Sequence, residues 1–170
     1  MRSITGAGKS ARAIRLAAAL VAAMAIAACS KTPDPNAAGG LGAGGVGAAV
    51  PGSQQDFVVN VGDRVFFETD STDLTSQAQA TLDKQSRWLA QYARYTVTVE
   101  GHADERGTRE YNFALGAKRA EVTKSYLAAR GIPASRIRTI SFGKERPVAV
   151  CNDISCWSQN RRAVTLLGGG

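Results

Sequence analysis

The segment Gly101-His-Ala-Asp-Glu-Arg-Gly-Thr-Arg-Glu-Tyr-Asn112 gathers carboxylates, guanidinium groups, an amide and an imidazole in one short stretch, and Lys118-Arg-Ala120 follows a little further on. Asp104 and Arg119 carry the most specific chemistry. A carboxylate accepts hydrogen bonds from an ammonium, and a guanidinium grips a carboxylate with two parallel donors, so the two together would suit a zwitterion such as a free amino-acid end. The same residues fit a plainer reading, in which Asp104 caps a helix or pairs with Arg106 and Arg119 completes a surface ion pair. Spacing alone leaves both open. His102 is the only histidine. It could share a metal with Asp104, but a single imidazole at a strand end is more often packed or hydrogen-bonded, and no metal site is expected. The chain contains no Gly-x-Ser-x-Gly, zinc-hydrolase helix or phosphate-loop motif and no visible nucleophile and base pair, so no catalytic residue is assigned.

These groups need a scaffold. Tyr95-Thr-Val-Thr-Val-Glu100 alternates with period two, which predicts a half-buried strand with Val97 and Val99 facing the core. After the loop, Tyr111, Leu115, Val122, Tyr126 and Ala129 mark one stripe of a helix that Gly131 and Pro133 end. Asn112 and Arg119, two helical turns apart, project together from a face rotated modestly from that stripe, which places them at the domain edge. Upstream, Leu74, Ala78, Leu82, Leu89 and Tyr92 predict a helix over residues 75–93, with Ser76-Gln-Ala-Gln79 as a capping box. Before it, Arg64-Val-Phe-Phe67 reads as a strand and Glu68-Thr-Asp-Ser-Thr-Asp73 as a turn. Two further strands are expected at residues 136–142 and 161–167. Strand, helix, strand, helix, strand, strand is an α+β order, packed most simply as one sheet with two main helices on one face. Asn160-Arg-Arg162 would orient loops at the sheet end, or share in ligand contact. Trp88 and Trp157 read as core or rim packing rather than as partner anchors.

The 170 residues carry a formal charge of +7, which invites a nucleic-acid partner until the charges are located. Arg2, Lys9, Arg12 and Arg15 stand in a stretch without acids, and removing residues 1–28 leaves 17 basic against 14 acidic residues, or +3. No nucleic-acid role is inferred. The four cations precede the apolar run Leu16 to Ala28, a secretory signal too short for a membrane span, which needs roughly 20 apolar residues. Ile26-Ala-Ala-Cys29 resembles a bacterial lipobox, which implies cleavage and a covalent N-acyl and S-diacylglycerol lipid on Cys29. Ser30 in place of Asp implies onward export to the periplasmic face of the outer membrane. An odd number of cysteines in an exported chain then resolves itself. Cys151 and Cys156 remain, with four residues between them, and a disulfide fits better than a zinc set lacking a second ligand pair. Residues 29–55, rich in Gly, Ala and Pro, read as a tether spanning about 28 Å as a coil and up to roughly 90 Å when stretched. Residues 56–170 are then the folded domain.

The run Gly101 to Asn112, with Leu115-Gly-Ala-Lys-Arg-Ala120 and Ser158-Gln-Asn-Arg-Arg-Ala-Val164, resembles the OmpA-type C-terminal domain over roughly residues 60–167, most closely the wall-associated lipoproteins of the Tol-Pal system. That resemblance implies a two-layer domain with a mixed four-stranded sheet that binds peptidoglycan without cleaving it. Asp104 would accept the ammonium and Arg119 the carboxylate at the diaminopimelate end of a stem peptide. Asn112 and the loop after the first strand, Asp70 and less securely Glu68, would assist. It further implies TolB and the other Tol-Pal components as partners, and a part in envelope integrity and constriction during cell division. Two positions depart from the pattern: Glu68 stands where an aspartate is usual, and Arg109 where proline is common. The alternatives are a wall-binding lipoprotein of the same type without Tol contact, or a wall hydrolase using His102, Asp104 and Glu105.

Overall fold

The computed structural model describes residues 49–169; the signal segment, Cys29 and most of the tether lie outside the described residues. Four strands, β1 (Arg64–Phe66), β2 (Thr96–His102), β3 (Ile137–Gly143) and β4 (Arg162–Gly168), combine with three helices, α1 (Ser76–Gln91), α2 (Arg109–Ala129) and α3 (Ile154–Asn160). They form one sheet in the order β1-β4-β2-β3, with β4 antiparallel to both neighbours and β2 parallel to β3. A parallel pair needs a crossover, and α2 supplies it.

The predicted alternation sets the layers. Val97 and Val99 are completely buried, and Val65, Ala163 and Ile137 join them beneath α1 and α2 in a core that also holds Leu82, Leu89, Leu127 and Ala120. Gln85 of α1 is buried too, because its amide accepts from Thr165 Oγ1 at 2.9 Å and donates to the Gly62 carbonyl at 2.7 Å. Trp88 packs against Phe57, Tyr92 and Tyr95, and its indole N–H donates to Asp56. It is a core residue, as expected.

Three details differ from the sequence reading. The α1 cap is Thr75, one residue before the predicted Ser76: its extended backbone lets the hydroxyl accept from the Ala78 N–H, while Gln79 reaches back to the Leu74 carbonyl. Folded structure begins before residue 56, since the Gly52 carbonyl accepts from the Tyr95 hydroxyl and from Arg94. The short helix α3, capped by Asp153, was not predicted; seven residues with few apolar side chains give little periodicity to read. The Cys151–Cys156 disulfide is present, with Cα atoms 5.7 Å apart, and lies at the entrance to α3.

Helix α2 approaches the sheet very closely. A Cβ on Gly101 would sit 1.8 Å from the Gly116 carbonyl oxygen, and one on Gly116 would meet the Ser141 hydroxyl at 2.5 Å. Backbone therefore packs on backbone where α2 crosses β2 and β3. This contact delivers the first half of α2 to the end of β2. Gly101→Ala is expected to lower the unfolding free energy by roughly 3 kcal/mol or more, at the upper end for overpacking, because backbone cannot step aside. Urea denaturation checks it; a loss below about 1 kcal/mol would mean that α2 slides freely on the sheet.

Candidate functional site

The buried face of α2 is rotated from the predicted apolar stripe, of which Leu115 is buried and Val122 and Tyr126 are half-buried against the core. Asn112, Leu115, Gly116, Arg119, Ala120, Thr123 and Leu127 face inward, whereas Tyr111 is half exposed. Asn112 and Arg119 were placed at the domain edge; they are instead 1% and 0% exposed. Hydropathy points the wrong way here because the most polar side chains of the helix have partners beneath it.

Arg119 is the centre of those partners. Its Nε donates to the Ser71 carbonyl at 3.0 Å, Nη1 to the His102 carbonyl at 2.9 Å and Nη2 to the Glu68 carbonyl at 3.1 Å, and its guanidinium lies 5.1 Å from the Phe67 ring centre. One side chain thus joins the β1–α1 loop to the end of β2. Burial, followed by the neighbouring Arg161 guanidinium, pushes its pKa down to about 10, so it remains a cation at neutral pH. Three of its donors are occupied. A guanidinium has about five N–H groups, so two remain, shut off from solvent in a side chain that is 0% exposed.

Asp104 is 7% exposed and fully engaged. Arg106 donates to it from its backbone N–H at 3.2 Å, Nε at 3.1 Å and Nη2 at 2.7 Å, and Arg161 Nη1 donates at 3.3 Å. Burial raises its pKa, but the hydrogen bonds from Arg106 and Arg161 outweigh that and hold it below the usual carboxylate range. Asp104 does not cap α2. Thr108 does, accepting from the Tyr111 N–H.

The loop between β2 and α2 is held through its carbonyls. Lys144 Nζ donates to Glu105 O at 3.2 Å and Gly107 O at 2.7 Å, and Asn112 Nδ2 donates to Arg106 O at 2.6 Å. Gly107, at φ 84°, allows the turn. Asn112 therefore positions the loop. On the other side, Glu68 contributes its backbone carbonyl, while the Asp70 carboxylate accepts from the Tyr111 hydroxyl at 3.3 Å and sits at φ 52°. Arg109 pairs with Glu145 on the surface, away from Asp104.

Sequence reasoning undervalued three groups. Arg161, at the start of β4, ties Asp104 to the Phe67 carbonyl and is 4% exposed. Trp157 lies beneath the Arg106 guanidinium, 4.2 Å from its ring centre, and its indole N–H donates to Glu105. Lys144 holds the loop from the end of β3. The sequence points to Arg161 through Asn160-Arg-Arg162 and to Trp157 only as packing, and nothing in it singles out Lys144.

His102 stands apart. It is 2% exposed, stacks on Phe142, lies 3.6 Å from Glu100, and neither ring nitrogen has a hydrogen-bond partner. Asp104 and Glu105 are engaged by Arg106, Arg161 and Trp157 instead, so these three residues do not assemble into an acid and base constellation.

The OmpA family model matches residues 66–161. The chain belongs to the OmpA family. It is 68% identical to a Rhizobium meliloti protein named peptidoglycan-associated lipoprotein, over 89% of this chain and 86% of that one, and 65% identical to the Agrobacterium fabrum protein of the same name over the same shares. The crystal structure of the peptidoglycan-associated lipoprotein from Burkholderia pseudomallei superposes with a TM-score of 0.61 at 39% identity, covering 62% of this chain and 90% of that one. An OmpA-family domain fits the mixed four-stranded sheet with its two main helices.

Burial, with the Arg162 and Arg146 guanidinium groups adding to it, pushes His102 down to about 4, so the neutral imidazole is the native form. Between pH 6.5 and about 4 the unfolded chain takes up a proton that the folded chain refuses. The stabilisation is complete above pH 6.5 and is lost as pH falls through that window. From pH 7 to 4.5 the wild type is expected to lose about 2 kcal/mol more stability than His102→Gln in urea melts. Asp104 acts in the same direction but at lower pH, below its ordinary 3.8.

Proposed function

We propose that the domain holds peptidoglycan non-covalently by the diaminopimelate end of a stem peptide, while a lipid on Cys29 holds the outer membrane, so that the chain links the two. The observation that carries this reading is a buried pair of opposite charges of matching function: the Asp104 carboxylate for an ammonium, and the Arg119 guanidinium, beneath the Glu68 and Ser71 carbonyls, for a carboxylate. Both are fixed from more than one direction, which lowers the ordering cost of binding. The names of the relatives support the same ligand. Binding rather than cleavage follows from the environment of His102, Asp104 and Glu105, where cations occupy the carboxylate a hydrolase would use as a base. By the same family membership, TolB and the other Tol-Pal components would be the protein partners and cell constriction the setting.

Sedimentation with isolated sacculi tests the reading. Asp104→Asn keeps the shape of the side chain but only one of its two acceptor oxygens and none of the charge, and is expected to weaken binding by about 2 to 5 kcal/mol, enough to leave the protein in the supernatant. Acetylating the free diaminopimelate amines of the sacculi should have the same effect on the wild type. Equal pelleting of folded Asp104→Asn and wild type would sink the proposal, and release of soluble muropeptides would show an enzyme.

A further inference from the structure

Asp104 has no room for a ligand as it stands. A carboxylate offers about four lone-pair positions, and here all are taken: Oδ1 by the Arg106 backbone N–H and Nε, Oδ2 by Arg106 Nη2 and Arg161 Nη1. The two arginines differ in freedom. The Arg161 side chain is 5% exposed and is anchored to the Phe67 carbonyl, whereas that of Arg106 is 41% exposed. Only Arg106 can leave. The same Arg106 Nη2 reaches Thr69 Oγ1 at 3.5 Å, in the loop whose Glu68 and Ser71 carbonyls cover Arg119. One partly exposed cation therefore touches both Asp104 and the loop that covers Arg119.

Its seat is built with some care. The guanidinium rests on Trp157, an attraction that strengthens the closed arrangement. Trp157 belongs to α3, which the Cys151–Cys156 disulfide ties down at its start and Asn160 ties down at its end by accepting from the Val148 and Ala149 N–H groups. Disulfide, helix, indole and guanidinium form one chain of contacts that ends on Asp104.

We propose that Arg106 is an affinity-setting latch: closed, it competes with the ligand for Asp104, and binding requires its displacement, with Trp157 and the disulfide as positioning elements that favour closure. A lone amine gains only what Arg106 gives up. A diamino-acid end also brings a carboxylate to Arg119, and that second contact tips the exchange. The latch costs every ligand the same factor, so an amine that lacks the adjacent carboxylate falls short of binding while the diamino-acid end does not. It rests on the diaminopimelate reading above.

The test is calorimetric titration of the full mature lipoprotein in detergent with two soluble stem tripeptides, one ending in meso-diaminopimelate and one in lysine. Arg106→Gln is expected to bind the diaminopimelate peptide about tenfold more tightly if the open state is roughly a tenth of the wild-type population, and to gain the same factor for the lysine peptide. Trp157→Ala should shift both in the same direction by a smaller factor, with Trp157→Phe restoring part of the closure. In the Arg106→Gln background, Trp157→Ala and the double Cys151→Ser, Cys156→Ser change should have no further effect, which a merely structural role would not produce. Unchanged or weaker binding by folded Arg106→Gln, or equal effects of Trp157→Ala with and without Arg106, overturns the latch alone. Failure of the wild type to bind the diaminopimelate peptide overturns the wall reading itself.

Discussion

Arg119 is the interaction on which the rest of this domain depends. Taking a guanidinium out of water costs several kcal/mol, and the cost is offset only where its N–H groups meet well-placed acceptors. Here three backbone carbonyls, from Glu68, Ser71 and His102, converge on it. Those carbonyls belong to two separate connections, one after β1 and one at the end of β2. The arginine therefore orders two loops at once, and each is available to shape the site because the other is held.

That geometry has a prerequisite in the backbone. Arg119 reaches the end of β2 because Gly101 and Gly116 let α2 settle directly on the sheet. Once the helix is seated, Asn112 lies under the loop and holds Arg106 O, while Lys144 holds the carbonyls on either side. The loop's side chains then face a preset field of three arginines, Arg106, Arg119 and Arg161, around one buried carboxylate. The Asp70 and Glu105 carboxylates lie close enough to act on these cations, so both signs of charge meet at the end of β2.

The opposite face of the sheet shows a different economy. His102 is buried there with both nitrogens unpartnered, and Arg162 Nε shares that condition. Unsatisfied buried polar groups destabilise, so the imidazole is retained in its neutral form and stacked on Phe142 rather than used as an acid or base. Its backbone carbonyl, not its ring, serves the site.

Local order was legible in the residues themselves. Strand alternation at Val97 and Val99, the stripe of α1 through Ala78, Leu82 and Leu89, and the Gly131 stop of α2 depend on near neighbours, and periodicity records near neighbours. Residue type marks Asp104 and Arg119 as candidates, but spacing leaves a plain ion-pair reading open, and only the family resemblance singles out the pair. What only the tertiary structure decided was which face of α2 is buried, that Arg106 holds Asp104 closed, and that Trp157 supports Arg106. Arg119 finds its acceptors 48 and 51 residues away, and Trp157 meets Glu105 across 52 residues. A polar side chain buried by such distant partners reverses the hydropathy pattern, and no local rule can foresee partners that the fold alone brings together.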